Sequence, residues 1–153
     1  MQQTKEEKNR HKHHLNLAGE YSVCAELHKR GIDANITFGN QKATDINIII
    51  DKQAYSVEVK TSMTKRFVTG FFQKYKLPHQ MPAPDFWVLV YVYPETFISE
   101  YYVLIHEEMA KEQMKRNGMT EWKEVKGGVD NIELSQLENY KNAWNKITDK
   151  CFK

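Results

Sequence analysis

Cysteine is nearly absent from this 153-residue chain; only Cys24 and Cys151 occur. Two residues so far apart give no disulfide framework and no CxxC zinc site. Cys24 falls on a predicted helix face and reads as a small buried hydrophobe. Long apolar runs are missing as well. The longest, FWVLVYVY over Phe86 to Tyr93, is far too short to span a bilayer. The opening MQQTKEEKNRHKHH has no apolar signal core behind it. These absences predict an intracellular, cytoplasmic protein with no membrane role. There are no repeats and no low-complexity linker, and Gly127-Gly128 sits in no phosphate-loop spacing. Net charge is only +2, too small to argue for nucleic acid by itself.

What is present is an ordinary globular balance, 41% hydrophobic and 27% charged. A chain of this length suits one domain with a core that needs no staples. Residues 1–14 are polar and read as a flexible N-terminal arm, leaving 15–153 as a single domain. The HKHH cluster (His11, His13, His14) has no second ligand cluster near it and reads as a solvated terminus.

Charge distribution says more than its sum. Between Val59 and Pro84 there is no Asp or Glu, while Lys60, Lys65, Arg66, Lys74 and Lys76 all lie there, interleaved with Phe67, Phe71, Phe72 and Tyr75. Such a strip can grip phosphates, which makes Lys65, Arg66, Lys74 and Lys76 candidate nucleic-acid contacts. The plainer reading is a solvated loop with core aromatics.

Periodicity predicts a helix over about Leu15 to Lys29, stopped by Gly31. Glu20 stands in its inward stripe, where a carboxylate is costly unless paired or on a metal. Strands are predicted at Ala34 to Phe38, Thr44 to Ile50 and Tyr55 to Thr61, the last two joined as an antiparallel hairpin by a short turn. A short helix or loop over Phe67 to Lys76 follows. Then come a strand at Phe86 to Tyr93 covered on both faces, a strand at Tyr101 to Ile105, and a helix at Glu107 to Arg116. A turn is expected over Lys126 to Asn131, and a last helix capped by Ser135 with Glu138. The sum is an α/β chain.

The chemistry concentrates in ATDINIIIDKQAYSVEVK, Ala43 to Lys60. Asp45 opens one apolar run, and thirteen positions later Glu58-Val59-Lys60 sits inside another. Strand alternation puts Glu58 and Lys60 on one face. Asp45 joins them if the hairpin register allows, and the helix stripe with Glu20 would pack over the same face. Asp45 and Glu58 are hard oxygen ligands suited to Mg²⁺ or Mn²⁺, and the Val59 carbonyl can add another. Lys60 could orient the attacking water or stabilise a phosphoryl transition state. Glu20 could complete the metal sphere. A structural Lys–Glu pair on a solvated strand is the bland alternative.

The run NLAGEYSVCAELHKRGIDANITFGNQKATDINIIIDKQAYSVEVKTS resembles the core of the PD-(D/E)XK nuclease superfamily, and the small bacterial members look most similar. The order of helix with Glu20, strand with Asp45 and strand with Glu58-Val59-Lys60 carries the resemblance, which is looser at DFWVLV. Thr44 stands where the family pattern has proline. The resemblance implies a restriction-endonuclease-like α/β/α core with a mixed central sheet of four to five strands flanked by helices. It also implies metal-dependent hydrolysis of a phosphodiester and a homodimer, since cutting both strands of DNA takes two sites. Three functions compete: a restriction- or junction-resolving-type endodeoxyribonuclease, a catalytically silent nucleic-acid-binding or assembly module on the same fold, and a partner-binding domain that uses its aromatic surface.

Overall fold

The computed structural model describes residues 2–37, 44–75, 82–122 and 128–151. The first element, α1 (Lys5–Lys29), begins well before Leu15. Thr4 and Glu7 form a capping box: Thr4 Oγ1 accepts the Glu7 N–H at 3.2 Å and Glu7 Oε2 accepts the Thr4 N–H at 2.8 Å. Residues 5–14 are therefore helical, and all of them are exposed. The C-terminus ends as the sequence predicts. Gly31, at φ 75°, donates to His28 O, and Ile32 donates to Leu27 O, which closes a Schellman motif.

Next come β1 (Asp33–Ile36), β2 (Ile46–Ile50) and β3 (Gln53–Ser62). Asp51 and Lys52 both have positive φ between the paired Ile50 and Gln53, a two-residue turn of the kind that matches strand twist. β4 (Arg66–Val68) and α2 (Phe71–Lys74) occupy the stretch read as a short helix or loop. β5 (Phe86–Val92) is buried at all seven positions, as its unbroken apolar run requires. β6 (Ser99–Ile105), α3 (His106–Arg116), β7 (Asn131–Glu133) and α4 (Asn145–Cys151) follow.

The central sheet runs β1-β2-β3-β5-β6, and a separate ribbon pairs β4 with β7. Only β3 and β5 are parallel within the large sheet; its other pairs are antiparallel. It is thus a mixed five-stranded sheet flanked by helices, the fold class the sequence predicts. Two apolar clusters cover its faces. On one, Val23 and Leu27 of α1 and Trp144 and Ile147 meet Ile46, Ile48, Val57, Val59, Val88 and Val90. On the other, Phe67, Phe71, Met109 of α3 and Ile132 meet Trp87, Leu89 and Leu104.

Two expectations change. No helix starts at Ser135: 3₁₀ turns span Leu134–Gln136 and Glu138–Tyr140, and α4 starts at Asn145. Lys141 is extended and bridges to Tyr102, and Asn142 sits at φ 52°, so the chain cannot stay helical between them. The end of the Lys126 to Asn131 stretch enters β7. Phe38, the Gly39–Lys42 turn and residues 123–127 lie outside the described residues.

Candidate active site

The β2–β3 hairpin decides which carboxylates meet. Its register pairs Ile46 with Val57 and Asn47 with Ser56. One step further places Asp45 opposite Glu58, and directly opposed residues share a face. Asp45, Glu58 and Lys60 thus lie on one side of the sheet, with Asp45 and Glu58 each 8% exposed. Asp45 Oδ2 accepts the Val59 N–H at 2.9 Å, continuing the ladder with a side chain where β2 has not yet begun. A residue's N–H and C=O face the same neighbour in an antiparallel ladder, so the Val59 carbonyl points to the Asp45 edge.

Thr44 secures this approach. Its Oγ1 donates to Ile46 O and to Val57 O, each at 3.1 Å. The Thr37 N–H reaches Asp45 O at 3.0 Å, and Thr37 Oγ1 bonds Thr44 O. A hydroxyl at the position before Asp45 thereby pins the start of β2 through bonds that proline could not donate.

Glu58 is held by two ammonium groups. Its Oε1 lies 3.0 Å from Lys60 Nζ and 2.8 Å from Lys74 Nζ. Lys74 reaches it because α2 is anchored from two directions. Phe71 is fully buried and stacks on His106 at 5.2 Å between centroids. Asp130 accepts the N–H of Phe72 at 2.9 Å and of Gln73 at 3.4 Å. Tyr75 completes this wall. Burial, and secondarily the Glu58 charge, pushes its phenol up from 10.0 to about 12.

Glu20 is buried at 6% exposure but is not on the face the sequence suggested. α1 packs with Val57 and Val59, and β3 alternates, so Glu58 and Lys60 face the opposite layer with Trp87 and Leu89. The apolar stripe of α1 has no means of specifying which sheet face it covers. Glu20 is nevertheless level with the site along β3. A Cβ on Gly19 would overlap Thr61 Oγ1 and come within 2.9 Å of Thr61 Cβ, so the helix backbone lies directly against the residue after Lys60.

The basic strip divides. Lys74 joins Glu58, while Lys65 and Arg66 are exposed at the turn between β3 and β4. With Thr64, Glu133 and Ser135 they line an open groove of about 550 Å³. Arg66 and Arg116 both approach Glu133 Oε1, at 3.7 and 3.3 Å. Lys76 lies outside the described residues. Sequence reasoning missed Glu133 and Asp130, which reach these places only through the β4–β7 pairing and the turn before it; no local signal marks either. His11, His13 and His14 are exposed on α1.

Among the described residues, no three His, Cys, Asp or Glu side chains form a ready-made metal cage. Two opposed carboxylates beside a backbone carbonyl still suit Mg²⁺, which is usually held by one or two carboxylates and otherwise by water and substrate phosphate. The donor set therefore fits a hard divalent cation and does not fit a zinc-type centre.

No protein-family model and no curated protein sequence matches the chain. Among solved structures, the bacterial homing endonuclease I-Ssp6803I aligns over 90% of this chain and 91% of its own, with a TM-score of 0.53 and 15% identity. At that identity the likeness is one of fold, a mixed α/β architecture. Among the described residues no helix is long and apolar enough to cross a membrane.

Proposed function

We propose that this protein is a Mg²⁺- or Mn²⁺-dependent endodeoxyribonuclease of the PD-(D/E)XK type, with residues 15–153 as its catalytic domain. The observation that carries this is the β2–β3 register, which brings Asp45 opposite Glu58 on the face that also bears Lys60. The fold it shares with a homing endonuclease supports the reading. Asp45, Glu58 and the Val59 carbonyl would hold the cation, and Glu20, carried by α1 on the other face of the sheet, is left out of that set. A bound divalent ion supplies a water of lowered pKa and neutralises charge on the phosphoryl group. Lys60, level with both carboxylates, orients the attacking water and stabilises the developing negative charge. Lys65, Arg66 and Lys74 hold backbone phosphates on the same side. One chain offers one such site, so double-strand cleavage calls for a homodimer.

The test is a cleavage panel of duplex, branched and single-stranded DNA with Mg²⁺ or Mn²⁺. Wild type cuts at least one of them. Lys60→Ala and Asp45→Ala lower the rate by about two to three orders of magnitude, the cost typical of losing one charge-stabilising group. Intact DNA throughout sinks the reading. DNA binding that is salt-sensitive and indifferent to Asp45→Ala, without cleavage, would instead mark a silent binding module.

A further inference from the structure

Glu58 is engaged by more positive charge than one ion pair needs. Both Lys60 Nζ and Lys74 Nζ sit within 3.0 Å of the same oxygen, Oε1. The two lysines are not equivalent. Lys60 stands on β3 itself, two positions from its partner, and its side chain is 25% exposed. Lys74 closes α2, and its side chain is 46% exposed against 10% for Glu58. Phe71 and Asp130 fix the α2 backbone, so the freedom belongs to the Lys74 stem and its ammonium. An ammonium already in water leaves a carboxylate at little cost.

Oε1 already accepts from two ammonium groups, and a divalent cation taken up on Oε2 of the same carboxylate would still lie beside both of them. Placing two further positive charges against both is strongly repulsive at these distances. One lysine must withdraw, and the exposed one does so most readily. We propose that Lys74 is an exchangeable counter-cation: it occupies Glu58 in the metal-free protein, releases Oε1 when Mg²⁺ or Mn²⁺ binds, and then contacts a backbone phosphate of DNA. This rests on the nuclease reading above and adds regulation to it. Metal and DNA binding become coupled through one side chain, because Lys74 serves the phosphate only after the cation has replaced it.

The experiment titrates Mn²⁺ into the full chain by calorimetry, using wild type, Lys74→Gln and Glu58→Gln, with circular dichroism confirming the fold of each. Lys74→Gln binds Mn²⁺ about two- to fivefold tighter than wild type, the range expected for removing a part-exposed competing ion pair. Glu58→Gln loses most of the binding. A second arm measures the salt dependence of DNA affinity with Ca²⁺ and with chelator, gels confirming that the DNA stays uncut. Wild type gains about one unit of slope with Ca²⁺, and Lys74→Gln gains none. If Glu58→Gln loses Mn²⁺ while Lys74→Gln binds no tighter than wild type and keeps the Ca²⁺-dependent slope, the exchange is wrong and the nuclease reading stands. If wild type and Glu58→Gln behave alike toward Mn²⁺, the nuclease reading fails and the exchange fails with it.

Discussion

Gly19→Ala tests the contact on which the whole α1 side of the site depends. A Cβ there would overlap Thr61 Oγ1 and lie 2.9 Å from Thr61 Cβ and 3.1 Å from Cγ2. Rotating χ1 of Thr61 moves Oγ1 and Cγ2 but leaves its Cβ fixed on β3, so α1 itself must retreat. The retreat loosens Val23 and Leu27, both fully buried, from Val57 and Val59. Overpacking of this severity costs about 3 kcal/mol, against a gain of about 1 kcal/mol from replacing glycine by alanine in a helix. The net loss is about 2 kcal/mol, which lowers Tm by about 4–8 °C in a chain of this size. Thr61→Ala alone should be close to neutral, because the buried Oγ1 it removes has no hydrogen-bond partner among the described residues. The double variant keeps the Cβ conflict and loses the rest, so it recovers about half of the deficit. Urea unfolding of the four proteins measures this. A Gly19→Ala protein as stable as wild type, or a cycle additive to within about 0.5 kcal/mol, would refute the close approach of α1 to β3.

Two further outcomes follow from local features. The Tyr75 phenol, raised to about 12, contributes stability that is fully present below pH 10 and lost as pH rises from there through about 12. The ultraviolet titration difference between wild type and Tyr75→Phe should therefore show a phenol ionising near 12, and a missing phenol that ionises near 10 contradicts it. Thr4→Ala removes the capping box of α1 and should fray residues 5–14, whose exposed positions offer no packing to hold them. Hydrogen exchange should rise there while the unfolding midpoint of the core stays put; uniform exchange along α1 would argue against it.

The parts of the fold legible in the sequence are those set by neighbours along the chain. The hairpin followed from two apolar runs and the brief connection between them, and the shared face of Glu58 and Lys60 from alternation within one strand. β5 followed from its unbroken apolar run. The capping box at Thr4 and Glu7 is present as a T-x-x-E spacing, but no apolar residue follows it until Leu15, so no periodicity marks the helix it starts. β4 and β7 are each three residues long, and their pairing joins Phe67 to Ile132 across most of the second half of the chain. No periodicity can develop in three residues, and no local preference encodes so distant a partner. The face chosen by α1, and hence the position of Glu20, was illegible for a related reason. β5 is apolar on both sides, so both faces of the sheet call equally for an apolar helix.

The acid-free strip shows how a non-local arrangement can leave a local trace. Parallel strands cannot be joined by a tight turn; the chain must leave the end of β3, cross a face of the sheet and re-enter at the start of β5. That crossover joins Ser62 to Phe86, and its described residues are 63–75 and 82–85. Phe67 and Phe71 pack with Trp87 and Leu89, the β5 partners of Glu58 and Lys60, so it passes over the face that carries them. An acidic residue in place of Lys74 would stand against the buried Glu58, whereas the lysine finds a partner there at 2.8 Å. At Lys74 the absence of an acid is thus what electrostatics favours where the chain covers Glu58. The aromatics between the lysines are what hold that cover down. Composition alone left open whether the strip was a solvated loop or lay against the carboxylates; the 2.8 Å ion pair with Glu58 puts Lys74 beside one of them. Lys65 and Arg66, at the start of the crossover, are left to the groove beside Glu133.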